Sequence, residues 1–331
     1  MTLKSSINRR TFIKASALSA LGSAILPMPS FAANWPDRPI RMVVAFPAGG
    51  PTDTIARVIA ERLSERLGQH IVVDNRAGAS GSVGTSQFIR SKPDGYTISM
   101  FGMPALIAPI VHRNGLYDVR TDFTCVSTVY DLPYVVIINT DVLPGVENFQ
   151  QLIEASKTNE INFSSPGVGS IGHMAMEQLK GLGKFEMQHI AYSGSAPAIV
   201  DLIGGQTGMM VSDMIAAMPH IQSGSVKPIA VLSDSGTTFL PEVKSVAEQG
   251  FPGYQASSWS GLIVPNDTPQ EVSDRLNKEL KELLTDTELQ ERMIKLGAIA
   301  TYQTAEEMTT RLNNEYDRWN QVAKDIDIWN L

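Results

Sequence analysis

Twice in this chain an apolar strand runs into a glycine-rich loop and then into an amphipathic helix, and that recurring order constrains the fold more than any other feature. In the first copy residues 40–46 read as a buried strand, and Pro47-Ala48-Gly49-Gly50-Pro51-Thr52-Asp53 forms the loop. A helix follows, with Ile55, Val58, Ile59, Leu63 and Leu67 on one face and Gly68 as its stop. A strand over 71–74, a second glycine loop over 78–84, another helix and the turn Pro93-Asp94-Gly95 lead into a strand over 96–100. The order returns from Ile161: strand, loop 165–172, helix, strand 187–192, loop 193–197, helix, strand 208–212. Strands joined through helices must run parallel, so the pattern predicts two α/β units. Apolar extended segments at 134–139 and 257–264 sit where the chain would pass between units and read as a two-strand hinge. The charged, amphipathic tail over 268–329 is expected to be helical and to pack back on the first unit. The predicted lobes are therefore 33–133 with 258–331, and 134–257.

Loops at the carboxyl ends of parallel strands face the crevice where open α/β sheets bind ligands. Each leads into a helix whose first amides lack intrahelical partners and whose dipole is positive at that end. Hydroxyls at Thr52, Thr54, Ser80, Ser82, Ser170 and Ser195 add donors, and such ends bind anions. Ordinary capping accounts for any single loop, with Asp53 and Ser195 as N-cap residues; four loops on one cleft point to a ligand.

Gly167, Gly169 and Gly172 match G-x-G-x-x-G, but a dinucleotide site needs an acid closing the next strand, and that strand ends Ala191-Tyr192 with Glu186 before it. His173, one turn after Ser170, has neither a G-x-S-x-G serine nor an orienting acid, which leaves it as a helix-face residue lining or capping the cleft. The five histidines show no H-x-x-x-H pairing and Cys125 is the only cysteine, so neither a metal centre nor an intramolecular disulfide is expected.

Residues 1–32 contain Lys4, Arg9, Arg10 and Lys14 with no acid, then an apolar stretch over 15–28 and Ser30-Phe31-Ala32, an export signal cleaved after Ala32. Asn8-Arg9-Arg10-Thr11-Phe12-Ile13-Lys14 resembles the twin-arginine consensus, with the general secretory route as the alternative. Losing those four cations takes the formal charge from −7 to −11, which argues against nucleic acid and anionic membrane as partners. The expected location is the periplasm.

Several stretches together resemble the substrate-binding proteins of tripartite tricarboxylate transporters, the Bug family. They include Trp35-Pro36-Asp37-Arg38-Pro39-Ile40, the loop Phe46 to Asp53, Asn75-Arg76-Ala77-Gly78-Ala79-Ser80-Gly81, Tyr192-Ser193-Gly194-Ser195-Ala196-Pro197, and Gly204-Gly205-Gln206. One departure is Val211-Ser212-Asp213, where relatives commonly carry Phe-Asp one place earlier. The resemblance implies a two-lobed periplasmic-binding-protein fold of the Venus-flytrap kind, type II-like with two crossover strands. It also implies a cofactor-free monomer that performs no chemistry, holds a small mono-, di- or aromatic carboxylate and delivers it to a membrane permease. An extracytoplasmic sensor docking on a signalling receptor is the alternative. In that reading Phe46 is an apolar wall, Gly50, Thr52 and Asp53 the first amide cradle, and Ser80 with Gly81 a flanking one. Gly169, Ser170 and His173 with Ser195, Ala196 and Pro197 serve the second lobe. Met103, Ala105, Ser212, Asp213 and Trp259 are placed as specificity residues.

Overall fold

Short strands followed, directly or across a short loop, by a helix recur along the chain. The computed structural model describes residues 35–113 and 115–330, so the export signal lies outside the described residues. The first three pairs are β1 (Ile40–Val44) with α1 (Pro51–Leu67), β2 (Ile71–Asn75) with α2 (Ser82–Phe88), and β3 (Thr97–Gly102) with α3 (Met103–His112). The long strand β4 (Phe123–Ile138) and helix α4 (Phe149–Ser156) follow. Then come β5 (Asn162–Ser165) with α5 (Ile171–Gly183), β6 (Gln188–Ala191) with α6 (Ser195–Ile203), and β7 (Met209–Asp213) with α7 (Met214–Gln222). The chain closes with β8 (Lys227–Val231), β9 (Ser257–Pro265), α8 (Gln270–Leu284), α9 (Thr287–Lys295), β10 (Ile299–Gln303) and α10 (Ala305–Asp325).

Strand order is β2-β1-β3-β9-β4-β7-β5-β6, with β8 and β10 also pairing β4. Pairing is parallel in β1–β2, β1–β3, β5–β6 and β5–β7, as the helical crossovers require. This is the two-lobed periplasmic-binding-protein fold, and β4 carries it. From Phe123 to Pro133 it pairs antiparallel with β9, and from Tyr134 to Ile138 with β7, so the chain changes lobes where its partner changes. The extended segment expected from residue 134 thus begins at Phe123; Ser127, Thr128 and Asp131 had interrupted the apolar run, yet they lie within the β9 ladder.

The tail is not wholly helical. Ile299-Ala300-Thr301-Tyr302 is β-branched and aromatic enough to form β10, antiparallel to β4. α10 is started by a capping box between Thr304 and Glu307 and buries Trp319. Arg311 of the same helix lies over the Trp259 ring at 5.1 Å and pairs with Asp131 at 2.5 Å. Trp259 therefore packs in the core beneath α10, fully buried, instead of lining a ligand pocket.

Candidate functional site

Helices α1 and α5 begin alike. Gly49 (φ 79°) and Gly169 (φ 76°) hold a left-handed backbone that only glycine adopts without strain, and each is followed by an extended N-cap, Gly50 or Ser170. In both, the third helical residue reaches back to that glycine: Gly49 N donates to Asp53 Oδ2 at 2.8 Å, and Gly169 N donates to His173 Nδ1 at 3.1 Å. Gly50, not Asp53, is thus the N-cap of α1, and Gly194, not Ser195, is that of α6. Asp53 Oδ2 also accepts from Arg57 Nε at 3.0 Å, and Oδ1 from Asn75 Nδ2 at 2.9 Å. Burial would raise this carboxyl, but the bonds from Arg57, Gly49 and Asn75 outweigh it and hold it below the ordinary value. His173 is buried and stacks on His189 with ring centroids 3.8 Å apart. Burial, together with the His189 and Lys180 charges, pushes its pKa down to about 3.

On the first-lobe side the residues close on the start of α3. Gly81 (φ 94°) leaves room for its neighbours: a methyl group there would sit 3.0 Å from the Phe46 ring and 3.1 Å from Ala105 Cβ. A methyl on Gly102 would lie 3.0 Å from Ser260 Oγ, 3.5 Å from Phe46 Cε2 and 3.6 Å from Thr52 Oγ1. Ser260 Oγ donates to Tyr130 Oη at 2.9 Å, and Thr52 also hydrogen-bonds that phenol. Phe46, Thr52, Gly81 and Ala105 therefore meet around Gly102 and the crossing strands.

The second-lobe side is reached through those strands. Tyr134 lies opposite Asp213 in the β4–β7 register, and the Asp213 charge reaches both Tyr130 and Tyr134. Asp213 caps α7, Oδ1 accepting from Ala216 N at 2.9 Å, and Oδ2 accepts from Ser195 Oγ at 3.1 Å. Its burial pushes its pKa up against these bonds. Helices α1, α3 and α6 start at glycine caps with no side-chain cap hydrogen bond, and Pro51 and Pro104 in the first turns of α1 and α3 carry no amide proton. Across the cleft, a methyl group on Gly169 would meet Val111 of α3 at 2.8 Å.

Residues 55–328 match the family described as tripartite tricarboxylate transporter family receptor. The chain belongs to this family. It is 33% identical to Protein BugT of Bordetella pertussis over 309 residues, 92% of this chain and 94% of that one. Among solved structures, R. palustris Rpa4515 with adipate superposes with a TM-score of 0.83 at 31% identity, covering 88% of this chain and 98% of that chain. MatC from Rhodopseudomonas palustris with bound malate gives 0.78 at 27% identity, covering 87% and 99%. As a family receptor the chain is a substrate-binding protein and not an enzyme.

In this receptor the remaining expected residues are spread. Ser80 (φ 54°) lies exposed beside His112, its Oγ 3.4 Å from Nε2, while Ala196 and Pro197 are exposed on the first turn of α6. Met103 is buried at the start of α3, and Ser212 is buried within β7, its hydroxyl donating to Asp213 O at 3.1 Å. Ser170 Oγ accepts from His173 N at 3.3 Å, capping α5. Sequence reasoning singled out none of the hydroxyls of Tyr130, Tyr134 and Ser260: Tyr134 and Ser260 sit in the segments read as a hinge, Tyr130 just before one, and their place at the partner switch of β4 was the available signal. A separate surface hollow of about 700 Å³ beside Gly49 and Lys295 lies on the outer side of α1, and its arginines are already paired, Arg57 with Asp53 and Arg292 with Glu61.

Proposed function

We propose that this receptor captures a small carboxylate between a lobe of residues 33–133 and 258–331 and a lobe of residues 134–257. It delivers that ligand, as a periplasmic monomer freed of its export signal after Ala32, to the membrane permease subunits of a tripartite tricarboxylate transporter. The observation that carries this reading is the meeting of glycine-capped helix starts at Thr52, Gly102 and Ser195 around the Tyr130 and Tyr134 phenols, in loops that contain no Lys or Arg. Amides and hydroxyls without a cation favour a carboxylate held by directed hydrogen bonds. Adipate in Rpa4515 and malate in MatC support the same ligand class.

Native mass spectrometry of protein purified without denaturation, followed by calorimetry with adipate and malate, tests the reading. A co-purified small acid or saturable binding of either is expected; a chain that carries no acid and binds neither would refute it. Thr52→Val removes a donor at nearly constant volume and is expected to weaken binding by about 1–3 kcal/mol, up to roughly a hundredfold in Kd. Wild-type affinity in that variant would move the ligand away from the start of α1.

A further inference from the structure

The loop 165–170 is tied down by two stacked imidazoles. Gly169 N is a buried amide that must find an acceptor, and His173 Nδ1 is that acceptor. A nitrogen that accepts carries no proton, so the His173 proton sits on Nε2 and the ring is neutral. His189 lies flat against it, rings 16° from parallel, and Phe163 stacks beneath His189 at 4.9 Å. Ser165 Oγ is 2.6 Å from His189 Nε2 and accepts from Gly167 N at 3.1 Å. Two alternate amides of the loop are thus fixed by the pair, Gly169 directly and Gly167 through Ser165. The charged groups beside it, Lys180 and Glu177 of α5, pair with each other at 2.9 Å.

The first lobe repeats the device with other chemistry. Asp53 occupies the place of His173, and Asn75, on the strand beside β1, anchors Asp53 as His189, on the strand beside β5, anchors His173. We infer that His173 and His189 are positioning residues: they do not touch the ligand but hold the loop 165–170 in the shape that meets α3 across the cleft and completes the second-lobe cradle. This rests on the carboxylate-binding reading.

The test compares His173→Phe, which keeps the stacked ring and loses the acceptor, with His173→Asn, whose Oδ1 reaches the place of Nδ1. Calorimetry with malate and adipate and amide hydrogen exchange of the unliganded protein are the readouts. His173→Phe is expected to lower affinity about tenfold or more, to speed exchange at 167–170 and to lower the melting temperature by a few degrees, because the buried Gly169 amide is left without its acceptor. His173→Asn should stay near wild type in both. Wild-type affinity in His173→Phe, or equal weakness in His173→Asn, would overturn the inference. Should wild-type protein bind neither probe, the carboxylate reading falls and exchange alone decides: unchanged rates at 167–170 in His173→Phe refute the positioning role. His189→Phe serves in the same measurements if His173→Phe does not fold.

Discussion

The two helix starts at Gly49 and Gly169 share one backbone and differ in charge. Both place a left-handed glycine before an extended cap, and both satisfy that glycine's amide with the side chain three residues into the helix. In the first lobe the acceptor is a carboxylate tied to Arg57 and Asn75; in the second it is a neutral imidazole stacked on another. What the loop requires is an acceptor at a fixed place. The neighbours then decide whether that acceptor carries charge: an arginine one turn along makes a carboxylate tolerable at Asp53, whereas at position 173 the nearest cation, Lys180, is already paired with Glu177. A carboxylate ligand consequently meets no brace charge in the second lobe.

The largest expected difference between the two loops comes from adding one methyl group to each glycine. Gly49→Ala places the methyl in open space, so only the left-handed backbone penalises it, by about 1 kcal/mol. Gly169→Ala carries the same strain and also drives its methyl to 2.8 Å from Val111 across the cleft, for a total of about 3 kcal/mol. Urea unfolding gives both stabilities, and small-angle scattering with saturating malate or adipate shows whether Gly169→Ala still reaches the compact liganded form. Equal costs at the two positions would mean that the contact with Val111 yields and that the loops differ only in their acceptors.

Much of this arrangement was legible beforehand, for a physical reason. Glycine loops and 3.6-residue periodicity are local signals, so the strand-to-helix junctions after β1, β2, β5 and β6 could be read from adjacent residues, whereas the helices after β3 and β7 were not. The braces could not. Whether Asp53 caps a helix or reaches back to Gly49 depends on Asn75, 22 residues away, and the neutrality of His173 depends on its burial, to which His189 in the next strand contributes. Tyr130 lay outside the extended segment read from residue 134, and the exchange of β9 for β7 as the partner of β4, which sets Tyr130 and Tyr134 on either side of the switch, is a long-range event.

Acid should separate the braces next. His173 has an unfolded pKa of 6.5 and a folded one of about 3, so between those values the unfolded chain binds a proton that the folded one refuses. Stability is therefore fully present above 6.5 and falls as pH drops through the window, by up to about 1.4 kcal/mol per pH unit. Asp53 is held below 3.8, so its contribution is lost only below that value. His189, held down to about 4 by burial and the Lys180 charge, adds its own loss in the same window. Urea midpoints from pH 8 to 4 should show the early loss in wild type, a smaller one in His173→Asn, a flat curve when His189 is also replaced by Asn, and an unchanged slope in Asp53→Asn. An early loss that persists undiminished in the double variant would assign it to other groups and remove the electrostatic contrast between the lobes.

The smallest effect expected is at Asp213, where the second lobe does keep a charge. An ionised carboxylate only accepts, so Ser195 gives its proton to Oδ2 and turns lone pairs, not a donor, toward the cleft. Asp213→Asn retains Oδ1 for the cap on Ala216, and asparagine caps helices as well as aspartate does, so folding stability should move by less than about 0.5 kcal/mol. The new amide would donate to Ser195 Oγ, releasing the serine proton for a ligand oxygen and removing a negative charge that reaches Tyr130 and Tyr134. Affinity for malate or adipate should rise by about 1 kcal/mol, roughly fivefold, while an amino acid, whose ammonium would use both the serine lone pairs and the carboxylate charge, should bind more weakly. Calorimetry on both ligand types separates the outcomes. Small equal changes for both would mean that Asp213 serves the cap alone, and that neither lobe then presents a charge of its own to the ligand.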